Sequence, residues 1–468
     1  MQMGYNISRL TMDDDEPSNH AQPSLNQPSS YMVREMFELD NEIFHITMLK
    51  SRPSEGLRQA TRSMESNTST FRMLSGREIN SGKNGGFSKA DRSCVLGGCL
   101  PVNGPHKIDK GSTRAYVSRF SDDGSLLVTA FQGGHIRIYD VEQDWKVHKD
   151  ILARSMRWTI TDTSLSPDQQ YLVYSSMSPI VNLVNIDSAA TESHANITDI
   201  HEGLDFSMHE DVIYAFGIFS VKFSSDGREV LAGSNDDSLY VYDLHANKVS
   251  LRLEAHTADV NTVAFADETS HLIFSGSDDS LCKVWDRRCL NQGQVAGVLT
   301  GHLEGVTCID SRGDGRYFIS NGKDQTLKLW DIRKMSSNMD RSRIRYSKWD
   351  YRYTPYPQQY EFHRHPYDQS LATYRGHAVL RTLIRCYFSP EYSTGKRYIY
   401  TGSHDSCVYI YDLVTGAEVA KLDCEISTAV RDCSWHPYYP TLVNCTWDGQ
   451  VVRWKYVGNS YEDKMEVN

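Results

Sequence analysis

Long hydrophobic runs, a signal-peptide core and a lipidation signal are all missing from this sequence. No stretch is apolar for long enough to span a bilayer, and the N-terminus MQMGYNISRLTMDDDEP has no glycine directly after Met1 for myristoylation. These absences predict an intracellular chain without a membrane partner. We expect it in the nucleus and cytoplasm.

Paired cysteines and an excess of positive charge are missing as well. The 10 cysteines are scattered without a C-x-x-C pair, and several of them fall within strand patterns. We therefore expect buried free thiols at Cys282, Cys308, Cys407 and Cys445, with no zinc and no other cofactor. The formal net charge of -11 argues against duplex DNA or RNA as the main partner, since nucleic acids usually select a basic surface.

A recurring hairpin is what the sequence has instead. Its clearest copy is LIFSGSDDSLCKVWDRR at residues 272–288. It begins with an apolar run, three small residues and an Asp-Asp turn. A second strand of alternating apolar and polar residues follows and ends in Trp-Asp. Further copies with the same turn aspartate lie at residues 230–243, 318–333, 399–412 and 442–454. Two weaker copies without it end at Asp140 and Asp187. The spacing is close to the roughly 40 to 45 residues of a four-stranded propeller blade, and it predicts seven blades.

Histidines upstream of three of these hairpins predict a buried hydrogen-bond network in those blades. An imidazole beside the turn aspartate links that turn to a strand hydroxyl and an indole N–H. The members are His256, Ser275, Asp279 and Trp285 in one repeat and His302, Ser320, Asp324 and Trp330 in the next. His377, Thr401, Asp405 and Tyr411 occupy the corresponding places in the sixth repeat. A nucleophile needs one activated copy rather than several, so we expect a structural role and a non-catalytic protein.

A Gly-His pair followed by a Trp-Asp hairpin resembles the WD-repeat β-propeller, and the resemblance covers residues 107–456. It implies an all-β fold, a seven-bladed WD-repeat β-propeller, which we place at residues 94–456. Too little chain follows Trp454 for a complete last blade. The missing outer strand should therefore come from the N-terminal side of the first blade, which removes exposed sheet edges.

The chain ahead of the propeller is mostly polar. Its composition predicts disorder at residues 1–30 and a flexible linker at residues 51–93, and a short tail is expected at residues 457–468. Between the first two segments, residues 31–50 approximate an amphipathic helix. Its apolar stripe includes Met36, Phe37, Ile43 and Phe44. The helix either packs on the propeller or docks into a groove of a partner.

Two stretches of the predicted propeller lie outside the hairpin pattern. Residues 191–210 are polar and predict a loop ahead of the third blade. Residues 334–373 predict an insert between blades five and six that is rich in arginine and aromatic side chains, which carry binding hot spots. The candidates for substrate recognition there are Arg343, Arg345, Tyr346, Trp349 and Arg352. Alternatively, the aromatics fix the loop to the propeller rim, or they stack on single-stranded RNA.

Two consecutive hairpins end in Trp-Asp-x-Arg, at Arg288 and Arg333. Their sixteen-residue pattern, from which only Asn321 departs slightly, resembles that of substrate receptors of cullin-4 ubiquitin ligases. The full chain, including the segment 31–50 and the insert, resembles the branch of cullin-4-associated factor 11 and its plant embryogenesis-related WD-repeat relatives. Residues 349–352 match the tetrapeptide but lack the hairpin, so they do not predict a blade ending.

The resemblance implies a set of adaptor-binding residues. Arg288 and Arg333, with Asp286 and Asp331, would dock the propeller on the adaptor DNA-damage-binding protein 1 and through it on cullin-4. It also favours the docking interpretation of the helix at residues 31–50. Alternatively, each arginine only pairs with a neighbouring loop carboxylate, an exposed contact of little energy.

The implied function is a non-catalytic receptor that brings protein substrates to the ligase. The alternatives are a WD-repeat scaffold for another complex, which would not depend on the two arginines, and an RNA-binding propeller. The latter would depend on the arginine-rich insert and would bind with salt-sensitive affinity.

Overall fold

Seven antiparallel sheets of four strands each make up the fold. The computed structural model describes residues 98–186, 201–207, 216–292, 294–337 and 349–456. Within each sheet the strands are hydrogen-bonded to their neighbours from the first to the fourth. The prediction of a seven-bladed propeller is confirmed. Predicted features at residues 1–93 and 457–468 lie outside the described residues.

Blades one to six each use four strands that follow one another in the chain. The strands of blades one to three are Ala115–Phe120, Leu126–Phe131, His135–Asp140 and Lys146–Leu152; Ile160–Leu165, Tyr171–Ser176, Ile180–Asn185 and His201–Asp205; Ile218–Phe223, Glu229–Ser234, Ser238–Asp243 and Lys248–Glu254. Those of blades four to six are Val260–Phe265, Leu272–Ser277, Cys282–Asp286 and Gly297–Leu299; Val306–Ser311, Tyr317–Gly322, Thr326–Asp331 and Ala372–Tyr374; Cys386–Phe388, Tyr398–Gly402, Cys407–Asp412 and Glu418–Asp423.

Blade seven joins the two ends of the propeller. Its first three strands are Val430–Trp435, Thr441–Thr446 and Gln450–Lys455, and its fourth is Asn103–Lys110 from the beginning of the described chain. That strand pairs antiparallel with Gln450–Lys455. The predicted closure is confirmed, and it links the first and last repeats through backbone hydrogen bonds.

Apolar side chains between neighbouring blades form the core. Strand residues alternate between the two faces of a sheet, so each blade buries one set of side chains against each neighbour. Phe274 of blade four and Phe318 of blade five stack with ring centroids 4.5 Å apart, and both are fully buried. Branched and aromatic strand residues thereby fix the angle between one blade and the next.

The antiparallel order gives the propeller two distinct ends. Connections between the first and second strands, and between the third and fourth, lie at one end; the second-to-third turns and the links to the next blade lie at the other. We call the first the Trp-Asp face, because Asp286 and Asp331 end their third strands there. We call the second the turn face, which carries Asp279 and Asp324.

Two sequence predictions about connections are wrong. The insert lies inside blade five, because Ala372–Tyr374 pairs with Thr326–Asp331 as the fourth strand of that sheet. Residues 334–373 are therefore not a connection between blades five and six, and their last two members are strand. His201–Asp205, predicted as loop, is the fourth strand of blade two. The repeats are recognised in the sequence by the residues that end the third strand, whereas the fourth strand follows them and carries no motif of its own.

Helices are short in the described part of the chain. They are the 3₁₀ turns Arg287–Gln292, Ile332–Lys334 and Gln358–Tyr360 and the α-helix Glu391–Thr394. No helix of the described residues is long and apolar enough to cross a membrane.

Candidate functional site

Arg288 is held by the aspartate that ends its own strand. The backbone N–H of Arg288 donates to Asp286 Oδ1 at 3.0 Å, Nε donates to the same oxygen at 2.9 Å, and Nη2 donates to Oδ2 at 2.7 Å. These hydrogen bonds lower the pKa of the Asp286 carboxyl. We call this arrangement an Asp-Arg clasp. The Arg288 side chain still exposes 62% of its surface.

The next blade repeats the clasp with a more deeply buried carboxylate. The backbone N–H of Arg333 donates to Asp331 Oδ1 at 3.0 Å, and its Nη2 donates to Oδ2 at 2.8 Å. Asp331 also accepts from Arg316 Nη2 at 3.0 Å. The Asp331 side chain is only 1% exposed, whereas that of Arg333 is 51% exposed. One carboxylate therefore orients two guanidinium groups.

Both clasps lie on the Trp-Asp face of adjacent blades, four and five. A clasped guanidinium has lost part of its rotamer freedom before it meets a partner, which lowers the entropy cost of binding. The N–H groups of Arg288 that do not contact Asp286 can donate to a partner's carboxylate or carbonyl oxygens. The carboxylate beside each arginine is the one from its own Trp-Asp pair. Of the other predicted adaptor contacts, Met36, Phe37, Ile43 and Phe44 lie outside the described residues.

Arg287, which lies between Asp286 and Arg288 in the chain, contacts a neighbouring blade. Its Nη1 and Nη2 donate to the two oxygens of Glu229 at 2.6 and 2.8 Å, which ties blade four to blade three. The sequence gives no sign of this pair, because the residues are 58 positions apart and Glu229 belongs to no motif. The ion pair between Arg287 and Glu229 fixes the backbone next to Arg288.

The histidine networks of blades four and five bring together all eight residues named from the sequence. In blade five, His302 Nδ1 lies 3.1 Å from Asp324 Oδ2 and Nε2 lies 2.6 Å from Ser320 Oγ, to which Trp330 Nε1 donates at 2.7 Å. Burial alone would raise the pKa of Asp324, but the charge and hydrogen bond of His302 lower it strongly.

Blade four forms the same chain of contacts. His256 Nδ1 lies 2.9 Å from Asp279 and Nε2 lies 2.7 Å from Ser275 Oγ, while Trp285 Nε1 donates to that hydroxyl at 2.8 Å. Ser275 and Ser320 are both fully buried. The hydroxyls therefore link side chains within the blades and do not face solvent, which fits a structural role.

Blade six departs from the expected network. His377 Nδ1 contacts the hydroxyl of Tyr411 at 3.2 Å, and its Nε2 contacts Asn321 Oδ1 of blade five at 2.9 Å. Asp405 accepts instead from Tyr409 and Lys421. The expected pairing of His377 with Asp405 is wrong, because Tyr409 and Lys421 occupy the carboxylate. Burial lowers the pKa of His377 to about 4.

The described part of the insert reaches the turn face. Lys323 Nζ lies 4.2 Å from the ring centroid of Tyr351, and the backbone N–H of Arg381 donates to Tyr351 O at 2.9 Å. Lys323 belongs to the turn of blade five and Arg381 to the link into blade six. Residues 334–337 follow the strand end at the Trp-Asp face, whereas Tyr351 contacts the turn face.

The recognition candidates in the insert have different surroundings. Trp349 Nε1 donates to Pro355 O at 2.8 Å and its ring packs edge-on against Tyr356, so it stabilises the insert's own fold. Arg352 forms a third clasp, with Nη2 donating to Asp350 Oδ2 at 2.7 Å, and its side chain is 60% exposed. The other three candidates, Arg343, Arg345 and Tyr346, lie outside the described residues.

The described cysteines are free thiols. Cys282, Cys308, Cys407 and Cys445 are buried, as predicted. Burial raises the pKa of Cys282 to about 12, which keeps it a thiol at neutral pH. No group of three His, Cys, Asp or Glu side chains in the described ranges is placed to hold a metal ion.

Comparison with known proteins identifies repeats and relatives. The family described as WD domain, G-beta repeat matches residues 205–243, 247–286, 293–331, 368–412 and 416–455. The unmatched blades one and two are those that lack the turn aspartate. The LEC14B homolog of Prunus armeniaca is 63% identical over 435 residues, covering 92% of this chain and 90% of its own length. The LEC14B protein of Lithospermum erythrorhizon is 57% identical over 460 residues, covering 98% and 97%.

A more distant relative carries a functional name. The DDB1- and CUL4-associated factor 11 homolog of Caenorhabditis elegans is 35% identical over 378 residues, covering 77% of this chain and 64% of its own length. The chain belongs to the WD-repeat β-propeller family, in the branch of the LEC14B proteins and the DDB1- and CUL4-associated factor 11 homologs.

Proposed function

We propose that this chain is a non-catalytic substrate receptor of a cullin-4 RING ubiquitin ligase. It docks on the adaptor DNA-damage-binding protein 1 and recruits proteins for ubiquitination. The observation that carries the proposal is the pair of exposed, pre-oriented arginines, Arg288 and Arg333, at one end of adjacent blades. The name of the nematode relative, which refers to this adaptor and to cullin-4, supports it.

The two ends of the propeller allow two partners to bind at once. In the proposed complex, the Trp-Asp face holds the adaptor and the turn face, with the exposed part of the insert, holds the substrate. The chain itself forms no bond with ubiquitin. It raises the effective concentration of substrate lysines near the ligase's charged conjugating enzyme.

The helix predicted at residues 31–50 is proposed as a second adaptor contact. Two weak contacts on one chain bind more tightly than either alone when both are engaged together. A variant that begins at Lys89 separates the contribution of this helix from that of the propeller. We propose that the complex acts in the nucleus and cytoplasm.

Size-exclusion chromatography tests the proposal. The purified full chain, mixed with purified adaptor, is expected to elute with it as one complex. Circular dichroism checks that the chain is folded. Separate elution of the folded chain and the adaptor contradicts the receptor function and leaves the WD-repeat scaffold as the alternative.

A further inference from the structure

An aromatic cluster bordered by arginines lies on the turn face at blades seven, one and two. Tyr116 is at its centre, with ring centroids 6.1 Å from those of Trp158 and Trp447. The guanidinium of Arg114 lies 4.4 Å from the ring centroid of Trp447. We call these residues, with Arg154 and Arg157, the Trp158 cluster. None of them belongs to the insert or to the clasps.

Trp158 itself combines exposure with an unfavourable backbone conformation. Its surface is 62% exposed, although a tryptophan gains more from burial than other side chains. Its φ is 66°, in the left-handed region that bulky residues rarely adopt. Ser155, earlier in the same link between blades one and two, has a φ of 51°. Such backbone strain persists where the surrounding structure imposes it and is concentrated at binding sites.

A second feature of the cluster is an indole without an acceptor. Trp447 Nε1 is shielded from solvent and has no hydrogen-bond partner among the described residues. Unpaired buried donors of this kind are uncommon in folded proteins. The Arg114 side chain covers the same ring. A partner that displaced Arg114 would uncover this ring.

The charges around the cluster determine which partner fits. Arg114 contacts the ring of Trp447, Arg154 and Arg157 belong to the same link as Trp158, and all three residues are exposed. Arginine and tryptophan are the residue types most often found at binding hot spots. An apolar side chain of a partner would bury the exposed indole of Trp158, while flanking carboxylates would meet the guanidiniums of Arg114 and Arg154.

We propose that the Trp158 cluster is a docking surface for an acidic peptide segment with an apolar anchor residue. The segment belongs to a protein recruited by the chain, and in that respect the inference rests on the proposed function. Peptide binding itself does not require the adaptor. The two proposals can therefore fail separately.

Selection from a phage-displayed library of random dodecapeptides on the purified full chain, without adaptor, tests this docking surface. The expected enriched peptides combine Asp or Glu with Leu, Phe or Trp. One enriched peptide is then synthesised with a fluorescent label and its affinity measured by anisotropy. W158G is expected to weaken binding at least tenfold. Enrichment of basic peptides, or no enrichment, overturns the proposal.

Glycine at position 158 removes the indole and tolerates the left-handed backbone. W158G is therefore expected to lose peptide binding while its thermal midpoint stays the same or rises. If Trp158 had only a structural role, its loss would lower the thermal midpoint. The matched control is Y439A, which removes a 63% exposed aromatic from the Trp-Asp face and should leave peptide affinity unchanged. Equal peptide affinity in wild type and W158G contradicts the proposal. So does loss of adaptor co-elution in W158G.

Discussion

Arg352 is clasped by Asp350 with the same set of hydrogen bonds that joins Arg288 to Asp286, although it lies in the insert and not at the end of a blade. The tetrapeptide Trp-Asp-x-Arg therefore forms the same Asp-Arg clasp wherever it occurs. Whether the clasp lies on the Trp-Asp face depends on whether a third strand of a blade precedes it. Arg288 and Arg333 are displayed on the Trp-Asp face. Arg352 follows Tyr351, which contacts the turn face, and so it provides a matched control for the other two.

Asp331 and Asp286 are expected to differ in their importance for stability. Asp331 is buried and holds both Arg316 and Arg333, whereas the contacts of Asp286 are with exposed Arg288. D331N should destabilise the fold by roughly 1 to 3 kcal/mol, because two charge-assisted contacts of a buried carboxylate are weakened. D286N should leave the free energy of unfolding nearly unchanged. Urea denaturation measures both, and equal effects would show that burial of the carboxylate is not decisive.

Ser320 is expected to be the critical member of the blade-five network. It contacts His302 and accepts from Trp330, so S320A leaves two buried groups without a partner. The expected loss is roughly 2 to 4 kcal/mol. A double-mutant cycle with W330F should give a coupling energy of about 1 kcal/mol or more. Additive effects of S320A and W330F would contradict a cooperative network.

Acidification is expected to destabilise the propeller through His377. Burial lowers its pKa from the ordinary 6.5 to about 4. Between these pH values the unfolded chain binds a proton that the folded chain does not, so the free energy of unfolding falls as pH falls. The contribution of neutral His377 to the free energy of unfolding is fully present above about pH 6.5. Near pH 4, a pKa shift of this size corresponds to a loss of about 3 kcal/mol from that free energy.

Urea midpoints at pH 7.5, 5.5 and 4.5 measure this effect. H377N lacks the titrating group, so its midpoint should depend less steeply on pH than that of wild type, even if it is less stable at pH 7.5. An equally steep dependence would assign the acid sensitivity to other groups.

The insert is expected to depend on Tyr351 for its position. The ring contacts Lys323, which also pairs with Asp278 at 2.6 Å. Y351A should release residues 349–365 from the turn face and make them more sensitive to limited proteolysis, while circular dichroism remains unchanged. Y353A, which removes an 81% exposed ring, is the control. Similar cleavage patterns for wild type and Y351A would mean that other contacts hold the insert.

Sequence periodicity predicted the seven blades and their closure because hairpins leave a local signature. Alternating apolar residues, a turn aspartate and a terminal aromatic recur whether or not the rest of the fold is known. Fourth strands have no such signature: Gly297–Leu299 and Ala372–Tyr374 are only three residues long. The location of the insert within blade five was missed for that reason.

Candidate residues could be selected from the sequence, but their contacts could not be predicted from it. The Trp-Asp-x-Arg pattern located Arg288 and Arg333, and the structure adds that each is oriented by its own aspartate. No regular spacing in the sequence predicts which distant residues come into contact. Arg287 with Glu229, and His377 with Asn321, join residues whose proximity arises only when neighbouring blades pack.

The affinity of the full chain for the purified adaptor, measured by isothermal titration calorimetry, tests the central claim most directly. The variants are R288A/R333A and R352A, each checked for an unchanged circular dichroism spectrum. Adaptor docking through the Trp-Asp face predicts that R288A/R333A binds at least tenfold more weakly while R352A binds like wild type. Unchanged affinity in R288A/R333A, or an equal loss in R352A, would contradict it.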